Sequence, residues 1–415
     1  MVTKHLGLPH LKGAEGFLIA VLIDALGSGL FIPFSLLYFH VALGLPLISV
    51  GFALSTATIF TLPIAPLTGL LVDRFGAKRV VMAAQVLQGC GFLGYLMVNS
   101  LLTMIGYMLL ASIGQRLFWS AYFTLVADIA TEGERDRWYG LAGAAQNAGI
   151  GVGGLASGFL IAASGTAGYH LIVIVNALSF FLAAALLLFS RRVPHHSPTS
   201  SVQVGGYRTV LRDRPFLALT LTNVMFAMGS MLLAVGIPIY LITSLKVPVW
   251  VVGAIFALNT TLLALLQTLL VRKLEAYRRT RALMFAGMLW GGWCLLCTLA
   301  LVLPPGALLP YLFSITCIYT LAELIHAPTS NALAAAVSPD ALRGRYLALF
   351  QFAWSIASIL TPGLFTLLFT IHPSLPWEAS ALLMLLASLV IYLLERHLPA
   401  YAVRTRSTQP KSSRQ

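Results

Sequence analysis

The sequence predicts an all-α polytopic membrane protein, with twelve transmembrane helices arranged as two pseudo-symmetric six-helix bundles. Three observations carry that expectation. Hydrophobic residues make up 59% of the chain and charged residues only 9%, against about 25% charged in soluble domains. At about 20 apolar residues per crossing, this content fills about twelve spans. All but two of the 26 lysines and arginines fall in alternate breaks between the apolar windows, as the positive-inside rule requires of an even number of crossings.

Read in order, the windows place spans 1 to 6 near 16–40, 48–72, 79–98, 102–129, 138–163 and 169–190, and spans 7 to 12 near 216–244, 250–271, 281–303, 309–336, 343–370 and 377–395. The chain thus divides into an N-terminal six-helix bundle over 1–190, a linker over 191–215, a C-terminal bundle over 216–398 and a tail over 399–415. The linker contains Arg191, Arg192, His195, His196, Pro198 and two glycines, a solvated composition. The basic side receives Lys4, Lys12, Arg74, Lys78, Arg79, Arg135, Arg137, the linker, Arg272 to Arg281, Arg343, Arg345 and the tail. Lys246 alone lies opposite, and Arg116 lies within span 4. Both termini are therefore expected in the cytoplasm.

The net charge of +13 is spread over these loops, so it marks orientation and not a nucleic-acid face. The first apolar run is longer than a signal-peptide core and is expected to be retained as a span. Cys90, Cys294, Cys297 and Cys317 all lie in apolar stretches and read as small buried hydrophobes. Cys294-x-x-Cys297 lacks the strand, turn or second ligand pair that a redox or metal site requires.

The halves resemble each other. Leu70 to Arg79 (LLVDRFGAKR) aligns with Leu269 to Arg278 (LLVRKLEAYR), and Arg135 to Leu141 (RDRWYGL) with Arg343 to Leu349 (RGRYLAL). Duplicated halves are the mark of an alternating-access carrier, in which two bundles rock about a site near the bilayer midplane.

Few ionisable groups lie deep in the spans: Asp24 in span 1, Arg116 in span 4, and Glu323 with His326 in span 10. Each costs about 2.5–3.5 kcal/mol at the bilayer centre. Glu323 and His326, at i and i+3, share a helix face. These four are the expected proton-coupling residues: Asp24 and Glu323 would line an internal cavity and exchange protons as Arg116 approaches or withdraws. Static interhelical bonds, including a fixed salt bridge to Arg116, would explain the same residues. His326 could equally be a hydrogen-bond anchor.

The loop after span 2, GLLVDRFGAKRV from Gly69 to Val80, is the most specific signal. Gly69 is expected to allow close helix approach, Gly76 to make a tight turn, and Asp73 to face a helix N-terminus. Positive-inside sorting accounts for Arg74, Lys78 and Arg79 but not for the Gly-Asp-Gly spacing. That spacing resembles the signature loop of the major facilitator superfamily, G-x-L-x-D-R-x-G-R-K, with Ala77 at the first basic position. Span count, halves and linker coincide with it over the whole chain. The resemblance implies a cytoplasmic conformational latch of Gly69, Asp73, Arg74, Gly76, Lys78, Arg79 and Asp128, working against the helix that begins near Arg343.

Two further segments resemble twelve-span drug:proton antiporters, the multidrug exporters of that superfamily. Gly149, Gly153, Gly154 and Gly158 in span 5 resemble the antiporter motif G-x-x-x-G-P-x-x-G-G, with Gly154 in place of proline and Ser157 in place of glycine. A small-residue stripe for tight helix packing would contain the same residues. In span 4, Arg116 matches the family's arginine, while Trp119 and Ser120 stand in place of the expected glycines. Tyr319 to Leu333 (YTLAELIHAPTSNAL) is similar to the tenth span of multidrug exporters, where the glutamate is a proposed protonation site.

A drug cavity should be large, apolar and adaptable. Phe31, Trp119, Tyr122, Trp354, Met225, Met228 and Met231 could line one, and the same side chains fill any membrane interior. Asn147, Asn176, Asn223 and Asn259 could bind a polar metabolite or bond between helices. The expected function is proton-coupled export of small amphipathic organic compounds from a cell inner membrane, with a symporter or uniporter for a defined metabolite as the alternative. Partners are then protons, a small-molecule substrate and lipid, the chain acting as a monomer without cofactor or metal. An enzyme is not expected, because no H-E-x-x-H, G-x-S-x-G or Walker loop is present. The linker and tail are too short for a sensory domain.

Overall fold

The structure, a computed structural model, describes residues 14–130, 135–190, 207–274, 276–339 and 342–404. Lys4, Lys12, most of the linker and the end of the tail lie outside the described residues, as do the side chains of Arg135 and Arg137.

Regular structure among the described residues is helical throughout. Among the described residues ten helices are long and apolar enough to cross a membrane; the segments expected as spans 2 and 3 are helical but broken or less apolar. Span 2 is broken into Leu47–Phe60 and Ile64–Phe75. The intervening turn ends at Pro63, which has no N–H to continue the ladder. Span 3 is Ala77–Tyr95, and Lys78, Arg79, Gln85 and Gln88 lower its hydropathy. Span 1 is the 17-residue helix Glu15–Phe31 continued by short helical turns to Ala42, and the remaining spans are helices of 20 to 33 residues, such as span 4 at Leu101–Ile129 and span 10 at Pro305–Val337.

Helix ends follow local chemistry. Span 4 starts at a capping box in which Ser100 and Thr103 each bond the other's backbone. Span 7 starts at Asp213, whose carboxylate accepts the Phe216 N–H at 3.1 Å and, from span 11, the Tyr346 hydroxyl at 3.0 Å. Gly76, between spans 2 and 3, has φ 82°, a conformation that favours glycine.

The chain forms two compact units. One holds the described residues up to 190 with Lys246–Thr260, the start of span 8; the other holds those up to Leu245 and those from Thr261 on. In the first unit span 1 packs on spans 5 and 6, and span 3 on spans 4 and 6. In the second, span 7 packs on spans 11 and 12, and span 9 on spans 10 and 12. Adding six to each number of the first set gives the second, so the duplication is visible in the packing.

It is also visible atom by atom. Span 1 ends in a π-helical turn at Tyr38–Ala42 and span 7 in one at Tyr240–Ser244. The Tyr38 hydroxyl bonds the Tyr95 carbonyl at 3.0 Å, and the Tyr240 hydroxyl bonds the Cys297 carbonyl at 2.6 Å. Both turns close with a positive-φ residue, Gly44 at 68° and Lys246 at 54°, followed by Pro46 and Pro248. Each second partner lies 202 residues after the first. Tyr-x-x-x-x-Leu-x-x-Pro recurs at Tyr38 and Tyr240.

The helices are apolar on all sides. Leu102, Phe189 and Val302 are among the exposed large side chains, as lipid-facing surface requires. Cys294 and Cys297 are buried, but Cys90 and Cys317 are exposed, which corrects the expectation that all four are core residues. An apolar stretch in a membrane has an outer face as hydrophobic as its inner one.

Candidate functional site

Asp24 sits on Glu15–Phe31, 6% exposed. Gln85 of span 3 hydrogen-bonds its carboxylate, and Tyr122 of span 4 interacts with it electrostatically. Span 1 approaches spans 5 and 6 closely around it. Side chains added at Gly149 and Gly153 would overlap span 1, and one at Gly27 would overlap Ser179 and Asn176 of span 6. A carboxyl group is thereby held in a tightly packed helix interface. Asp24 Oδ1, Gln85 Oε1 and the Tyr122 hydroxyl are buried oxygens with no hydrogen-bond partner among the described residues. Such groups are costly in an apolar interior. Arg116 is half-buried two turns before Tyr122 on the same helix.

The second unit contains its own polar cluster. His326 is 1% exposed, and its Nε2 lies 3.2 Å from Asn223 Oδ1. Its ring packs 5.1 Å from Phe226 and 5.2 Å from Trp290. Glu323, half-buried on the same span, interacts electrostatically with Tyr319, whose hydroxyl donates to the Ser230 carbonyl at 2.5 Å. His326 and Glu323 therefore have different surroundings, although they share a helix face.

The aromatic residues expected to line a cavity separate into two groups. Phe31 is buried in a ring cluster with Phe92 at 4.8 Å and Tyr95 at 5.8 Å, so it fills the core of the first unit. Trp119 and Tyr122, with Phe123, Tyr139, Gly143 and Gln146, line a depression of about 380 Å³ between spans 4 and 5, within the size range of ligand pockets. Asn147 follows Gln146 and is half-buried, as are Met225, Met228 and Met231 on span 7 and Trp354 on span 11.

The antiporter-like stripe packs on two sides. Gly149 and Gly153 seat against span 1, while Gly151, Gly154 and Gly158 face Thr260, Phe256 and Trp250 of Lys246–Thr260. Ser157 is buried and bonds the Gly154 carbonyl at 2.8 Å. In the loop after span 2, Asp73, Arg74 and Arg79 are exposed. The Arg74 guanidinium lies 5.3 Å from the centre of the Phe75 ring. Lys78 donates to the Ser190 carbonyl at the end of span 6, at 2.9 Å, and Asp128 is half-buried. Gly69 differs from expectation: a side chain there would meet no atom within 4 Å among the described residues, so close helix approach is not its role.

Sequence reasoning missed Gln85, a neutral residue that no charge count singles out. The signal was its place, one glutamine in the same span as Gln88, on the helix that packs on spans 4 and 6. It also missed the 202-residue offset, which relates Asp24 and Gln85 to Phe226 and Gly287. There the Phe226 ring occupies the space beside Gly287.

The family model of the Major Facilitator Superfamily matches residues 17–319 and 219–415. The chain is 26% identical over 388 residues to the multidrug resistance protein MdtH of Edwardsiella ictaluri, covering 92% of this chain and 94% of the relative. It is 23% identical over 365 residues to the Na(+), Li(+), K(+)/H(+) antiporter of Planococcus maritimus, covering 80% and 83%. Among solved structures, the nucleoside transporter NupG is similar with a TM-score of 0.77 at 13% identity, covering 92% of this chain and 98% of that one. The xylose transporter XylE from E. coli is similar with a TM-score of 0.68 at 16% identity, covering 91% and 95%. The chain belongs to the Major Facilitator Superfamily, and it is accordingly a multi-pass membrane transporter and not an enzyme.

Proposed function

We propose that this member of the superfamily is a proton-coupled exporter of small amphipathic organic compounds, seated in a cell inner membrane with both termini cytoplasmic and working by alternating access as a monomer. The observation that carries the reading is Asp24: a carboxyl group buried inside the first unit and supported by a hydrogen bond from Gln85. An ionisable group at that depth is retained at a cost of about 2.5–3.5 kcal/mol, and reversible protonation gives that cost a function. Glu323 is a second exchanging site in the other unit, and Arg116 tunes the first. Trp119 and Tyr122 supply part of the substrate surface, with Asn147, Met225, Met228 and Trp354 as further contributors. The loop from Gly69 to Arg79, with Asp128, acts as the cytoplasmic latch.

Exchange of a monovalent cation for a proton is a second reading. It is favoured by the three buried oxygens of Asp24, Gln85 and Tyr122 and by the relative from Planococcus maritimus. One assay separates the two. Purified protein in liposomes is given an imposed pH step and offered either ethidium or sodium. Movement of ethidium that drains the proton gradient supports the exporter. Sodium-dependent proton movement without ethidium transport supports the cation exchanger. Transport of either species that is indifferent to the pH step removes proton coupling altogether.

A further inference from the structure

Tyr122 has two environments. Its ring is one wall of the depression between spans 4 and 5, packed edge-on against Trp119 at 5.7 Å and Phe123 at 5.6 Å. Its hydroxyl is buried and interacts electrostatically with Asp24, and neither that hydroxyl nor Asp24 Oδ1 has a hydrogen-bond partner among the described residues. A donor and an acceptor that each lack a partner, in one apolar neighbourhood, gain by meeting. Span 3 offers Gln85, span 4 offers Tyr122 and, earlier on the same helix, the half-buried Arg116, and spans 5 and 6 present Gly149, Asn176 and Ser179 in that region.

The depression itself is selective. Four aromatic rings line it, Tyr139 being tied by its hydroxyl to the Phe123 carbonyl at 2.9 Å. Gln146 contributes an amide side chain to its lining, and Gly143 leaves open space. The exposed rings of Trp119 and Phe123 offer a flat aromatic ligand stacking and, for a cation, attraction to their π faces. Tyr122, packed on Phe118 at 5.2 Å and Phe17 at 6.1 Å, presents only a small part of its ring.

We propose that Tyr122 links occupancy of this depression by a planar aromatic compound to the protonation of Asp24, its ring contacting the ligand and its hydroxyl donating to the carboxylate. The inference rests on Asp24 as the exchanging group. In the step it assigns, the O–H bond of the Asp24 carboxylic acid breaks and the proton leaves to water. The carboxylate left behind accepts the Tyr122 hydroxyl hydrogen bond, and Tyr122 keeps its own proton. Tyr122 is a positioning residue for Asp24 and a contact residue for the ligand.

The test uses the full chain, purified in lightly buffered detergent, with ethidium as the probe. Binding is read from dye fluorescence and proton release from a pH indicator. Wild type is expected to release protons on binding. Tyr122→Phe keeps the ring, so affinity should fall no more than about threefold while release per bound dye falls at least about fivefold. Gly143→Leu fills the depression without touching the core, and should weaken ethidium binding at least about tenfold.

Full release from Tyr122→Phe overturns the link while leaving Asp24 as the exchanging group. Full release from Asp24→Asn overturns the exporter reading on which the link depends. Ethidium binding unchanged by Gly143→Leu, or no ethidium binding by wild type, overturns the depression as the ligand site. Monodisperse elution of each variant in size-exclusion chromatography guards against reading misfolding as loss of coupling.

Discussion

The two units put opposite chemistry at matched positions. In the first, span 1 and span 3 contribute Asp24 and Gln85, and span 4 contributes Trp119 and Tyr122. In the second, the residues 202 positions later on spans 7 and 9 are Phe226 and Gly287, and those 204 positions later on span 10 are Glu323 and His326. The offset on spans 4 and 10 is anchored by Tyr107 and Tyr311, which lie against Gly94 and the Leu296 carbonyl, themselves 202 apart. Polar and aromatic roles have changed places between helices while the packing pattern is kept. A duplicated scaffold lets one copy carry an ionisable group where the other carries a ring, because the packing needs each position only to be filled. The difference shows that pseudo-symmetry here belongs to the backbone and not to the site.

The strongest way to break this comparison is to remove the charge from one side. Asp24→Asn is expected to reduce pH-driven ethidium efflux from liposomes by at least about tenfold, equivalent to about 1.4 kcal/mol or more in the rate-limiting step. Phe226→Leu, at the matched position, should stay within about twofold. Equal losses in the two variants would show that position alone, and not ionisation, matters.

Next in size is packing. Gly153→Val drives a branched side chain into the backbone of span 1 and should cost about 3 kcal/mol or prevent folding, as overpacking does. Gly69→Val, where a side chain meets nothing, should leave the unfolding temperature nearly unchanged. A thermal unfolding series on detergent-purified protein checks both.

The ends of the spans that carry most of the bases give a smaller contrast. In the first unit Lys78 binds a backbone carbonyl of Ser190. In the second, the Glu395 carboxylate joins Arg278 at 2.6 Å, Arg281 at 2.9 Å and the Thr280 hydroxyl at 2.6 Å, and Arg279 donates to the Ala402 carbonyl at 2.8 Å. The two guanidiniums paired with Glu395 are well exposed, so screening limits the gain. Glu395→Gln is expected to cost about 1 kcal/mol, less at high salt. Lys78→Met should show a smaller loss. Denaturation midpoints at low and high ionic strength measure the pair.

The smallest effect concerns the matched turns. Lys246 holds the left-handed conformation that its counterpart Gly44 adopts without penalty. Lys246→Gly should raise stability by about 1 kcal/mol or less, and Gly44→Lys should lower it by a similar amount. Unchanged midpoints in both variants would mean that neither turn is strained.

Much of this molecule was legible before any coordinates. The spans, the alternate placement of bases and the unusual status of Asp24, Glu323, His326 and Arg116 all follow from what a hydrocarbon solvent tolerates. The glycines of span 5 announced close approach, and the structure adds what each approaches. Gly69 was misread because glycine in a membrane helix signals either contact or open space, and spacing does not distinguish them. Phe31 was placed in a cavity because an aromatic ring in an apolar run has no mark that separates wall from core. Gln85 was passed over because its importance is relational: it lies 61 positions from Asp24 in the chain and touches it only through the packing of span 3 in the bundle.

Composition and charge order by themselves determined the solvent, the class of fold, the duplication and the short list of costly groups. Each of these is a property of residues taken singly or at regular intervals, and lipid imposes its energetic rule on every residue alike. Only the tertiary structure decided which face of each helix turns inward and which partner Asp24 receives. In water an amphipathic pattern would have told inside from outside. In lipid both faces are equally apolar, so that information exists only in how the helices fit together.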